Sequence, residues 1–299
     1  MRALPVMALI LVSAIWGIHA VVGKTVESQL GPFELTVWRF TFGAVFYTPF
    51  LPRIRRYSRG ILWQLALTGL FWAVLFPVFF YQSLRFITPL ESLLFINTVP
   101  LIAALFSWLV LGEGIRLKHG LGIGIAFFGI VWTTAGQWRT ANSAIGILCV
   151  LSAAVAFAAY TVSTRSLSKK LPLLDMVAAT SILGAIELWI IAILGGQAQN
   201  TLHALGSLDL RGWVEFLYIV FFVSLASYIL YGYGLQRVKS AVASAWTFYP
   251  QVVFAALAQW IWLGIAPTRA TLFRAVFILG GVLIMQLPGC KRECPPQTE

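Results

Sequence analysis

Uncharged apolar runs follow one another along this chain, separated by polar interruptions of only a few residues. Runs at 3–23, 61–84, 92–112, 140–164, 216–236 and 240–268 are each near the length of about 20 residues that an α-helix needs to cross a bilayer. Weaker runs, some broken by a single charge, fit at 33–51, 117–135, 173–194 and 270–287. The pattern predicts ten transmembrane helices and an all-α polytopic membrane protein. The connections are too short to hold a soluble domain, so any activity is expected between helices, at membrane depth.

The pattern also repeats. Residues 1–140 align with 141–299: Trp16 falls on Phe157, His19 on Tyr160, Lys24 on Arg165, Glu34 on Asp175 and Gly43 on Gly184, all at an offset of 141. Trp108, Gly112 and Gly129 then meet Trp260, Gly264 and Gly281 at an offset of 152, the extra residues falling in the polar loop around Gln197–Arg211. Each repeat contains five spans. An odd number forces the second copy to enter the membrane upside down, so the predicted domains are two inverted five-helix units. The first span has a counterpart in the second copy, which argues against a cleaved signal peptide.

Charge tests that topology independently. With the N-terminus inside, Arg2, Arg53, Arg55, Arg56, Arg59, Arg116, Lys118, Arg165, Lys169, Lys170, Arg237, Lys239, Lys291 and Arg292 face the cytoplasm. Only Lys24, Arg85, Arg139, Arg211, Arg269 and Arg274 face outward. The ratio of 14 to 6 is the bias expected when basic loops stay inside, and it places both termini in the cytoplasm of a cell bounded by an inner membrane. Composition agrees: of 299 residues, 60% are hydrophobic and 10% charged, and the mean hydropathy is +0.86. The net charge of +11 follows from the loop bias and implies no nucleic-acid partner. The expected partners are the lipid bilayer and a small-molecule substrate, with the protein a monomer or homodimer.

Inverted repeats are a transporter design, in which rocking one bundle against the other exposes a midplane site alternately to either side. Ser13-Ala14-Ile15-Trp16-Gly17 in the first span, Trp38-Arg39-Phe40 in the second, Pro100 in the fourth and Leu111-Gly112-Glu113 at its end resemble the signatures of the drug/metabolite transporter superfamily. The likeness is to its EamA-type ten-helix exporters and, among these, to those handling aromatic amino acids. It covers the whole chain and implies alternating-access export without a cofactor. The second repeat departs from the pattern at Leu263-Gly264-Ile265, where many relatives repeat the glutamate, so Glu113 has no symmetric partner.

Candidate chemistry lies in the few polar and aromatic groups at membrane depth. The chain has 12 Trp, 9 Tyr and 22 Phe; Trp16, Trp38, Trp72, Tyr81, Tyr160, Tyr231, Trp246 and Tyr249 stand mid-helix, where rings can stack on a substrate as readily as fill helix interfaces. Arg39 falls roughly 9–10 Å into its helix; it is a candidate anchor for a carboxylate or, alternatively, a cation paired with Glu34 or Glu91. His19, with Tyr160 at the matching place in the other repeat, is a candidate cavity pair. Trp16, His19, Trp38, Arg39, Tyr81, Tyr160, Trp246 and Tyr249 are therefore the expected substrate-binding residues. Glu187, near mid-membrane among apolar residues, must be protonated, paired or open to water, which makes it a candidate proton-coupling group. Glu113 at a helix end is a candidate gate, whereas Glu91 fits a helix first turn. Pro77, Pro100 and Pro250 interrupt three spans, and Pro100 and Pro250 recur at similar depth as candidate hinges. Glycines in the fifth and tenth spans permit close packing.

Other chemistries are poorly represented. Cys149 lies in a helix, Cys290 and Cys294 in the tail have no nearby histidine and make only a weak metal signal, and His19, His119 and His203 are scattered, so no metal is expected. An intramembrane hydrolase needs a serine and histidine or paired acids facing at one depth; Ser13 or Ser163 with His19 is the nearest approach, and an enzyme is not expected. No ring of charge or filter segment suggests a channel. Within the transporter class, exchange of sugar nucleotides or sugar phosphates is the alternative to amino-acid export, but that cargo needs several converging cations and only Arg39 lies deep.

Overall fold

The computed structural model describes residues 3–111, 121–122, 124–125, 128, 141–168, 170–235, 237 and 240–286. Every regular element among them is helical. The outer surface is studded with large apolar side chains, Leu210 at 84%, Leu194 at 82% and Trp63 at 74% exposure, which only a lipid surround tolerates on this scale. Six helices among the described residues are long and apolar enough to cross a membrane. The protein is a polytopic all-α membrane protein.

Helix α1 (Ala3–Leu30) runs a full turn and more beyond its expected end. It can do so because its polar last turns are partnered: Lys24 donates to the Leu84 carbonyl, Thr25 to Glu215, and Glu27 faces Arg85 at 3.5 Å. Gly31, at φ 90°, then turns the chain, and Pro32 opens α2 (Pro32–Tyr47), where a missing amide costs nothing. The third span, α3 (Arg59–Leu84), is capped by Ser58 and widens to a π-helical stretch at Leu70–Leu75. That stretch immediately precedes Pro77, whose ring would collide with the carbonyl four residues back in a regular helix.

The expected fourth span is two helices, α4 (Pro89–Ile96) and α5 (Val99–Leu111). Thr88 and Glu91 form a reciprocal cap at the start of α4, so Glu91 has the first-turn role its position suggests. The break comes at Asn97 and Thr98 because Pro100 cannot donate to the Ile96 carbonyl. The side chains of Asn97 and Thr98 turn back onto the carbonyls of Leu93 and Phe95, at 2.8 and 2.6 Å. Pro250 behaves differently: α9 (Ser240–Leu263) continues through it. The two symmetric prolines therefore have unlike surroundings, a broken helix around one and an unbroken helix around the other.

The second half contributes α6 (Ala141–Leu167), α7 (Leu173–Leu194), α8 (Leu210–Tyr231), α9 and α10 (Arg269–Gln286). α8 begins six residues before its expected start, because Asp209 caps it by accepting from the Gly212 amide at 2.6 Å, and it too carries a π-helical stretch at Ile219–Ala226. The fifth expected span, Gly112, Glu113 and the tail with Cys290 and Cys294 lie largely or wholly outside the described residues.

Packing between the halves is reciprocal. α1 runs against α8 and α9 of the second half, while α6 runs against α3, α4 and α5 of the first. Likewise α2 meets the π-helical part of α8, and α7 meets that of α3. Glycines set the closest approaches: Gly69 on α3 and Gly184 on α7 face each other across bare backbone, and a Cβ on Gly69 would stand 3.0 Å from the Thr180 carbonyl.

Candidate functional site

Where α1, α2, α3, α4, α6, α8 and α9 converge they leave a cavity of about 60 Å³, room for several waters at roughly 10–15 Å³ each. Its wall is built mainly from rings at helical spacing. Trp72, Phe76 and Phe80 line it from α3, four residues apart and hence on one face. Trp16 and His19 line it from α1, three residues apart, with Phe157 from α6, Tyr228 from α8 and Phe248 from α9. The rings lock one another: Trp72 stacks on Phe76 at 5.7 Å and meets Tyr228 edge-on at 5.2 Å.

Arg39 enters this apolar wall from α2 at only 2% exposure. Its Nε donates to Ser224 Oγ at 2.9 Å and its Nη1 to the Tyr81 hydroxyl at 3.0 Å. His19 Nε2 lies 2.8 Å from the same hydroxyl. With Arg39 donating to that oxygen, the Tyr81 proton is free to be given to His19, which casts Nε2 as acceptor. Neither Glu34 nor Glu91 pairs with Arg39; among the described residues no carboxylate comes within 4.0 Å of its guanidinium. A buried guanidinium held only by hydroxyls has had its hydration replaced but its charge left unbalanced. Such a group attracts an anion.

The remaining expected residues distribute around the cavity. Tyr81, fully buried, stands behind Arg39 and His19 as their bridge. Tyr160 stacks on Trp72 with centroids 4.8 Å apart but does not line the cavity. Trp38 points elsewhere, donating from Nε1 to the Thr201 carbonyl at 2.7 Å and meeting Trp189 edge-on. Trp246 is 42% exposed and away from the lining, and the side chain of Tyr249 lies outside the described residues, as does Glu113. Glu187 on α7 is half-buried and outside the lining, and its Oε2 is buried without a hydrogen-bond partner.

Several lining residues carry no sequence signal of their own. Phe76, Phe80, Tyr228 and Phe248 are rings in largely apolar helices, where nothing marks the inward face, whereas Phe157 is marked only as the repeat counterpart of Trp16. Ser224 and Ser227, which receive Arg39 Nε and Trp16 Nε1 at 2.9 Å each, look like ordinary small packing residues. Gln251 did carry a signal, a neutral amide at membrane depth beside Pro250. It is 3% exposed, lines the cavity, and its Oε1 meets no donor.

Polar networks bracket the cavity at both ends of α3. At one end, Thr25, Arg211 and Trp262 all converge on the Glu215 carboxylate, joining α1 to α8 and α9. At the other, Asp175 accepts from the Tyr57 hydroxyl at 2.6 Å and faces Arg53 at 3.9 Å, joining the loop before α3 to α7. The bond to Asp175 pushes the Tyr57 phenol above its usual range, since ionising it would place two anions in contact.

Comparison with known proteins follows the duplicated architecture. The sequence profile described as the EamA-like transporter family matches this chain twice, over residues 3–135 and 144–287. An uncharacterized transporter of Archaeoglobus fulgidus is 25% identical over 271 residues, covering 90% of this chain and 94% of its own. The uncharacterized transporter YyaM of Bacillus subtilis is 22% identical over 232 residues, 74% of each chain. A solved structure described as "Crystal structure of protein" superposes with a TM-score of 0.60 at 20% identity, covering 95% of this chain and 96% of that one; it shares the fold.

Proposed function

The chain belongs to the EamA-like transporter family, and on that premise we propose that it exports small amphipathic metabolites, chiefly amino acids with aromatic side chains, by alternating access. The observation that carries this reading is Arg39, a buried cation without a carboxylate partner among the described residues, set in a wall of aromatic rings. A substrate carboxylate supplies the missing charge, and its side chain finds ring faces on Trp16, Trp72 and Tyr228. A phosphate dianion is a poorer match, since one arginine balances half its charge. The excess of basic residues in alternate loops, 14 against 6, supports an inner-membrane location with both termini cytoplasmic.

The test is counterflow in proteoliposomes containing the purified protein, with a labelled panel of amino acids, organic acids and sugar phosphates, with and without a proton gradient. Exchange of aromatic amino acids supports the reading. Exchange confined to sugar phosphates overturns it.

A further inference from the structure

Five buried side-chain oxygens among the described residues lack a hydrogen-bond partner, and only Gln251 Oε1 belongs to a residue lining the cavity. We propose that this amide is the specificity-determining contact for a ligand nitrogen: Gln251 Oε1 accepts an N–H from the amino group of a ligand whose carboxylate is held by Arg39. The proposal rests on the carboxylate reading above and adds to it the second point of recognition.

Three features of the fold carry it. First, three of the polar side chains that shape the wall are engaged with protein, Trp16 with Ser227, and His19 and Arg39 with Tyr81. The Gln251 amide makes no hydrogen bond to any described residue, so the desolvation of its carbonyl is uncompensated until a donor arrives. Second, its position is built. A Cβ at Gly17 would stand 2.6 Å from the Gln251 backbone carbonyl, so the bare backbone of α1 lets α9 approach and sets Gln251 beside Trp16. Third, the amide is present on one side only. Pro250 is followed by Gln251, whereas the symmetric Pro100 is followed by Leu101. Arg39 and Gln251 thus give the cavity a cationic site and a neutral acceptor. Once a carboxylate has neutralised Arg39, an adjacent ammonium group finds that acceptor and the faces of Trp16 and Trp72, which attract cations.

The experiment compares binding of phenylalanine and 3-phenylpropionate, which differ by the amino group, to the purified full-length protein by calorimetry. Wild type is expected to prefer phenylalanine by about tenfold or more. In Gln251→Met, a near-isosteric change, and in Gln251→Leu the preference is expected to fall to near one, with 3-phenylpropionate still bound. Equal binding of both ligands by wild type overturns the proposal and leaves the carboxylate reading standing. So does a preference retained in either variant. Variants that keep the wild-type melting temperature yet bind neither ligand also count against it, because removing the amide should spare the Arg39 contact. If wild type binds neither ligand, the carboxylate reading fails and the proposal falls with it.

Discussion

The Tyr81 hydroxyl accepts a 3.0 Å hydrogen bond from Nη1 of Arg39. Through that oxygen the third helix holds a cation delivered by the second, while Ser224 on α8 holds the same guanidinium by Nε. Arg39 is therefore held by both halves of the protein, and its bond to Ser224 is the one that crosses between them.

Tyr81→Phe keeps the ring and deletes the oxygen. It is expected to weaken binding of a carboxylate substrate by about tenfold, the equivalent of ~1.5 kcal/mol for a hydrogen bond to a charged group. Binding of uncharged aromatic ligands should be unaffected. Calorimetry on the purified variant checks this; an equal loss for charged and uncharged ligands would mean that the hydroxyl serves packing alone.

Gly17→Ala is expected to destabilise the protein by ~1–3 kcal/mol. The new Cβ would stand 2.6 Å from the Gln251 carbonyl and 2.8 Å from Phe254 Cβ, and both belong to a continuous helix. Gly43→Ala is the control with opposite sign, because nothing lies within 4 Å of a Cβ there and alanine favours the helix by ~0.5–1 kcal/mol. Thermal unfolding in detergent measures both; a Gly17→Ala midpoint equal to wild type would remove the close approach of α1 and α9.

Much of the fold could be read from hydropathy, because a bilayer makes every span announce itself by length. Helix ends were less legible. α1 overruns its apolar segment because Lys24 and Glu27 find partners on the α3 end, information that lies about sixty residues away. The site divides by chemistry. Trp16, His19 and Arg39 were visible, since polar or amphipathic groups at membrane depth are costly and few. The ring wall of Phe76, Phe80 and Phe248 was not, because in a lipid-facing helix both faces are apolar and periodicity loses its contrast. Trp38 and Trp246 show the converse: a central position along a helix does not say which way the side chain points.

Glu187 places a buried carboxylate oxygen without a partner on α7, outside the cavity lining. If that group carries a proton through the cycle, Glu187→Gln should abolish dependence of transport on a pH gradient while binding changes less than about twofold. The amide keeps the shape and removes ionisation. Counterflow in proteoliposomes with an imposed gradient decides; transport that still follows the gradient in the variant would assign Glu187 to structure.

The loop charges set an expected orientation. Single cysteines at Ser58→Cys and Lys170→Cys should resist an impermeant thiol reagent in intact cells, and Ser28→Cys and Asn200→Cys should react. All four side chains are exposed, so burial cannot mimic sidedness. Labelling of Lys170→Cys from outside would reverse the orientation of the second half and end the inverted-repeat arrangement.

Trp72 is the ring on which the aromatic wall depends, stacked on Tyr160 and Phe76 and met edge-on by Tyr228, whereas Trp246 stands outside the wall and 42% exposed. Cells overproducing the protein are expected to tolerate toxic aromatic amino-acid analogues better than control cells. Trp72→Phe should weaken that protection, since a smaller ring gives up part of a stacking contribution of ~0.5–1.5 kcal/mol, an affinity loss of about two- to tenfold. Trp246→Ala should leave protection intact. Growth curves over a series of analogue concentrations, with expression levels matched, separate the outcomes. Sensitisation on overproduction would mean import. Equal loss in both variants would detach the cargo from the cavity wall, and the rings would then serve helix packing only.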